Sequence, residues 1–78
     1  MPIRLKFTVH FQVRMQERSI QVEHIRAAIM SPDLAEPTYD GKMLATKALG
    51  DGRTIEVIYY KDDFRGTNDY VIITAYYT

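Results

Sequence analysis

"RTIEVIYY" at residues 53–60 and "YVIITAYYT" at residues 70–78 decide the fold. β-branched and aromatic residues dominate both runs, and the polar stretch "KDDFRGTND" at 61–69 separates them, which is the pattern of two strands joined by a loop. Both runs are partly apolar on either face, so they belong in the interior of a sheet. Strict alternation assigns Ile55 and Val57, with Val71, Ile73 and Ala75, to a face covered by helices. It leaves Thr54, Glu56, Ile58 and Tyr60, with Tyr70, Ile72, Thr74 and Tyr76, on the opposite face. That second face is too polar for a core and too aromatic for an indifferent surface.

Working back from these strands, "DG" recurs at 51–52 and 40–41, a hairpin signal because both residues tolerate positive φ. The segment between, "KMLATKAL", reads as a strand. "LAEPTYDG" before it reads as an edge strand, since Pro37 cannot donate to a ladder. Further upstream the period changes. In "VEHIRAAIM" (22–30), Val22, Ile25, Ala28 and Ile29 share one helical face. "SPD" stops that helix, because a residue preceding proline avoids helical geometry. A first helix starts from Thr8 as N-cap and runs to about Arg18, and "IRLKF" at 3–7 alternates as a short strand. The expected class is α+β: two N-terminal helices packed on a three- to four-stranded antiparallel sheet, as a two-layer sandwich forming a single domain over residues 1–78.

Bulk properties narrow the function. The chain has 78 residues, 46% of them hydrophobic and 26% charged, an ordinary globular composition with room for one modest core. With no cysteine, neither disulfides nor thiolate metal sites are possible. No apolar run approaches a membrane span and the start lacks a signal-peptide pattern, so a cytoplasmic location away from membranes is expected. Net charge is zero, against the strongly basic character of tight nucleic-acid binders. The charge is polarised, however: five basic and two acidic residues give +3 over 1–30, and five basic and eight acidic give −3 over 31–78.

The basic half contains "HFQVRMQERSI", residues 10–20, in which His10, Arg14 and Arg18 recur every four residues. Successive members stand about 6 Å apart along a helix and all three fit within a ~80° arc. Imidazole exchanges a proton near neutral pH, and guanidinium forks two hydrogen bonds onto a phosphate. Metal-free phosphoryl transfer needs those two functions, an acid or base on the reacting oxygens and fixed positive charge where negative charge develops. The competing reading is a solvated basic face whose arginines pair with Glu17. Thr74, Tyr76 and Tyr60 form a polar sheet surface that could hold a substrate by hydroxyl donation or stacking, or simply pair across strands. Lys47 and Glu56 sit in strands and could pair, with substrate binding as the functional reading for Lys47. His24 projects away from the apolar helix face and is expected in solvent. Asp62, Asp63, Asn68 and Asp69 suggest calcium, but the loop lacks the ligand ladder and closing glutamate of an EF-hand. No metal or cofactor signature is present.

The spacing His10-x3-Arg14-x3-Arg18-x-Ile20 resembles the opening of the small bacterial domains grouped as domain of unknown function 4258. A helix ending in "MSPD", a "YDGK" turn, a "GDGRTIEVIYY" hairpin strand and a terminal "VIITAYY" extend the resemblance from about Phe7 to Tyr77. That family is similar to the RelE, ParE and BrnT toxins, several of which are metal-independent ribonucleases from toxin–antitoxin pairs. The resemblance implies a RelE-like sandwich, an RNA substrate and an antitoxin protein as partner. It implies catalytic roles for His10, Arg14 and Arg18, joined by Thr74 and Tyr76 from the final strand. A second expectation, from the neutral charge and the aromatic strands, is a non-catalytic interaction domain acting as a homodimer or on another protein.

Overall fold

The computed structural model describes residues 4–62 and 69–78. The chain is α+β: helices α1 (Val9–Glu17) and α2 (Val22–Met30) pack on one face of a five-stranded sheet. Its strands are β1 (Arg4–Phe7), β2 (Leu34–Pro37), β3 (Met43–Ala48), β4 (Thr54–Asp62) and β5 (Asp69–Tyr77), in the spatial order β1-β5-β4-β3-β2. The sheet exceeds the three to four strands expected because the short flanking segments both join it. β1 pairs parallel to β5, Phe7 opposite Ile72, while every other pair is antiparallel. Pro37 lies in the edge strand β2 as its missing N–H requires.

The hairpins form at both DG pairs with different geometry from the one expected. Gly41 alone takes positive φ in the first, at 86°, and the loop closes with Thr38 N–H donating to Lys42 C=O at 2.8 Å. This three-residue loop, a turn followed by a left-handed glycine, replaces the two-residue turn because only one residue needs to leave the right-handed region. Thr38 also donates to Asp40, and that bond, with Lys42 second, holds the Asp40 carboxyl below its ordinary value.

Register within the central pair corrects the face assignment. Ile58 pairs with Thr74 but Tyr59 pairs with Ile72, so Ile73 is an extra residue in β5, a β-bulge. Beyond it the alternation slips by one. Ile72 and Tyr70, expected on the open face, turn to the helices, and Val71 turns away from them opposite Tyr60. Ile55, Val57 and Ala75 are fully buried on the helix side as expected, joined by Tyr59, Ile72 and Ala45. Phe11, Ile25, Ala28 and Ile29 supply the helical half of this core.

α1 starts where Thr8 Oγ1 accepts the Phe11 N–H at 3.1 Å. It ends in a two-bond cap: Ile20 N–H donates to Met15 C=O at 3.0 Å and Ser19 N–H to Gln16 C=O at 3.3 Å. Ser19 between them has φ 54°, the left-handed position that usually holds glycine. The reversal drops Ile20 into the core beside Met15. Ser19→Gly should therefore stabilise the fold by about 0.5–1 kcal/mol, read as a rise in Tm of several degrees in a thermal melt.

Burial, then the neighbouring Tyr70, pushes the Tyr59 phenol above its ordinary value of 10.0. The unfolded chain loses that proton first, so this group makes stability fall as pH rises past about 10. Denaturant melts across that range should show a smaller alkaline loss for Tyr59→Phe than for the parent protein.

Candidate functional site

α1 rises from the end of β1 and runs beside the part of β5 that β1 leaves uncovered. Thr54 and Thr78 exchange both backbone hydrogen bonds, at 2.7 and 3.0 Å. By alternation, the Ala75 N–H and C=O point away from β4, toward that uncovered margin. Arg18, the C-cap of α1, fills the position: Nη1 donates to Ala75 C=O at 3.0 Å and to Thr74 Oγ1 at 3.4 Å. The cationic stripe is thus tied to the closing strand at its last member.

The other two members stand free of the sheet. Arg14 faces Glu17 one turn on, at 3.6 Å, with both side chains about half exposed at 45% and 56%. Water screening makes such a pair weak, so the guanidinium is available to a phosphate that displaces Glu17. His10 is exposed on the first turn of α1. Thr74 and Tyr76 both lie on β5, Tyr76 opposite Glu56 on the face away from the helices. Tyr60 shares that face. Lys47 does not join this group: it is two strands away on β3, level with Ile55, with its ammonium 3.9 Å from Asp33.

A second polar cluster sits just beyond Arg18, and it overturns the expectation that His24 is solvated. Tyr77 OH accepts the Gln21 N–H at 3.1 Å and lies 2.9 Å from His24 Nδ1, the rings meeting edge to face. The phenol oxygen thus bridges the Gln21 backbone and the His24 ring. Arg53 lies over the Tyr77 ring at 4.5 Å and is held by Asp51 at 2.8 Å. The Arg53 side-chain bond is the main cause that keeps the Asp51 carboxyl below its ordinary value. His24 was missed because its partner, fifty-three positions later, is adjacent only once β5 is placed.

Asp69, the start of β5, is buried with its side chain 5% exposed and pairs with Lys6 at 2.9 Å and Arg4 at 3.4 Å. This carboxylate serves the β1–β5 pairing. Asp63 and Asn68 of the calcium reading lie outside the described residues, and among the described residues no acidic or histidine cluster could hold a metal ion. No described helix is long and apolar enough to cross a membrane.

These elements correspond to a family defined by sequence. The chain belongs to the family described as Domain of unknown function (DUF4258), which matches residues 7–77 and so takes in both helices and every strand but the first residues of β1. No curated protein and no solved structure matches the chain.

Arg18→Ala removes the donor to a part-buried carbonyl, and it should cost about 1–2 kcal/mol in urea denaturation. Arg14→Ala, which breaks only an exposed pair, should change stability by less than about 0.5 kcal/mol.

Proposed function

We propose that this protein is a small metal-independent endoribonuclease of the toxin–antitoxin kind, related in scaffold to the RelE and ParE toxins. The observation that carries the reading is Arg18 bridging to Thr74 and Ala75. It ties one end of the basic stripe to β5, which supports a reading in which a phosphodiester binds at Arg18 and Thr74, with Arg14 one turn and His10 two turns further along α1.

In this mechanism His10 removes the proton from an RNA 2′-hydroxyl, and the O2′–P bond forms as the P–O5′ bond breaks. The proton returns to the departing O5′, leaving a 2′,3′-cyclic phosphate and a 5′-hydroxyl. Arg14 and the remaining N–H groups of Arg18 stabilise the charge on the pentacoordinate phosphorus. Thr74 and Tyr76 position the strand, and Tyr60 offers an exposed ring for a base. An antitoxin protein would be needed to protect the host.

Purified protein should cleave RNA in the presence of a metal chelator. His10→Ala should lose at least about tenfold in rate, equivalent to ~1.4 kcal/mol of barrier, and Arg14→Ala should lose rate without losing stability. Induction of the parent chain should arrest growth where His10→Ala does not. Unimpaired cleavage by His10→Ala would remove this residue from the mechanism, and harmless expression together with intact RNA would remove the nuclease reading.

A further inference from the structure

Glu56 is a charge set in the middle of β4, the central strand, half-buried on the sheet face opposite the helices. Such positions favour β-branched and aromatic side chains. Its cross-strand neighbours are Tyr76 and Thr46, and Thr54 and Ile58 stand beside it on β4. None of these is a cation, nor is any residue diagonal to it. Lys47, which could have paired with it, lies on the other face beside Asp33. Among the described residues nothing hydrogen-bonds to the Glu56 carboxylate or pairs with it. A half-buried charge without a partner is unfavourable for the fold, so this one calls for a ligand that brings hydrogen-bond donors.

Its surroundings say which donors. Thr54 and Thr78 exchange both backbone bonds, so by alternation Glu56 and Tyr76 form the next such pair, their Cα atoms about 5.5 Å apart. An aromatic ring beside a carboxylate fits a nucleobase, stacked on the ring with its edge toward the charge. Thr74, diagonal to Glu56 at about 7–8 Å, accepts from Arg18, whose charge suits the phosphate of the same nucleotide. A basic peptide would satisfy Glu56 but meet Arg18 as a like charge. The bases differ in what they offer a carboxylate, which only accepts. Guanine carries two adjacent donors, N1–H and the N2 amino group, matching the two carboxylate oxygens. Adenine, cytosine and uracil each set an acceptor beside their donor on that edge, facing the charge unfavourably.

We infer that Glu56 and Tyr76 form a guanine-selective base subsite, the ring stacking on the base and the carboxylate accepting from N1–H and the N2 amino group. The inference deepens the nuclease reading and rests on it for the seat of the phosphate at Arg18 and Thr74, but recognition of the base is separable from cleavage.

Binding of the full chain to fluorescent 2′-O-methyl oligonucleotides, which lack the attacking hydroxyl, tests recognition apart from chemistry. Probes identical but for one central base should bind about tenfold more tightly with guanine than with adenine, cytosine or uracil. Inosine, which lacks the N2 amino group, should fall between. Glu56→Gln should erase this order, and Tyr76→Ala should weaken every probe. The base series is read on the parent chain, so the test stands even if a variant fails to fold. Equal affinity for all probes, affinity for none, or a guanine preference that survives Glu56→Gln overturns the inference. An arginine-rich peptide that binds the parent chain and not Glu56→Gln, with no base preference, also overturns it and gives the site to a basic protein segment. Guanine selectivity without cleavage of ordinary RNA keeps the subsite and removes the nuclease reading, whereas cleavage without base preference does the reverse.

Discussion

One guanidinium ties the end of α1 to the margin of β5. β1 is only four residues long and stops opposite Ile72, so residues 73–77 of the nine-residue β5 have no strand on the side away from β4. An unpaired margin of this kind invites pairing with other chains. α1 covers it, and Arg18 converts helix proximity into a hydrogen bond to the Ala75 carbonyl. The reach of that side chain depends on the left-handed Ser19, which ends the helix at the level of Ala75 and turns Ile20 inward. Helix termination, core closure and edge protection are therefore one local event.

The same event shapes what chemistry the α1 stripe can do. A salt bridge to a buried carboxylate would have neutralised Arg18; a carbonyl and a hydroxyl leave its charge intact. Arg14 meets a carboxylate, but one that water already screens. The stripe is thus held at one end and adjustable at the other, with its charge undiminished near Thr74. Beyond it, Tyr77 collects His24 and Arg53, adding rigidity to the end of β5 where the two helices meet the sheet.

Much of this was legible in the sequence, for identifiable reasons. Thr8 acts through a hydroxyl within its own turn, and Pro32 and Pro37 through their backbone geometry, so the helix start, helix stop and edge strand needed no tertiary information. The apolar period of α2 likewise placed Ile25, Ala28 and Ile29 in the core. The face of β5 was half legible. Alternation placed Ala75 correctly and failed at Val71, Ile72 and Ile73, because three consecutive β-branched residues suit either face and nothing in "VIIT" signals an extra residue. At the candidate site, the four-residue spacing brought His10, Arg14 and Arg18 onto one helix. Which of them touches β5 depended on the hand-over from β1 to α1, and the His24–Tyr77 contact on a pairing across most of the chain.

The bulge at Ile73 also bears on how relatives of this chain are to be compared. Deleting Ile73 would let Ile72 follow Thr74 in a regular ladder, with Tyr70 and Ile72 still beneath the helices; keeping it while losing the bulge would slip the register by one and bring Asp69, Val71 and Ile73 beneath them instead. Two homologues differing in length by that single residue would present the same chemistry to the core, whereas two of equal length, one bulged and one not, would bury different residues. Presence of the bulge, more than strand length or the identity of any one side chain, is the quantity that should separate members sharing this architecture from members that have remade it.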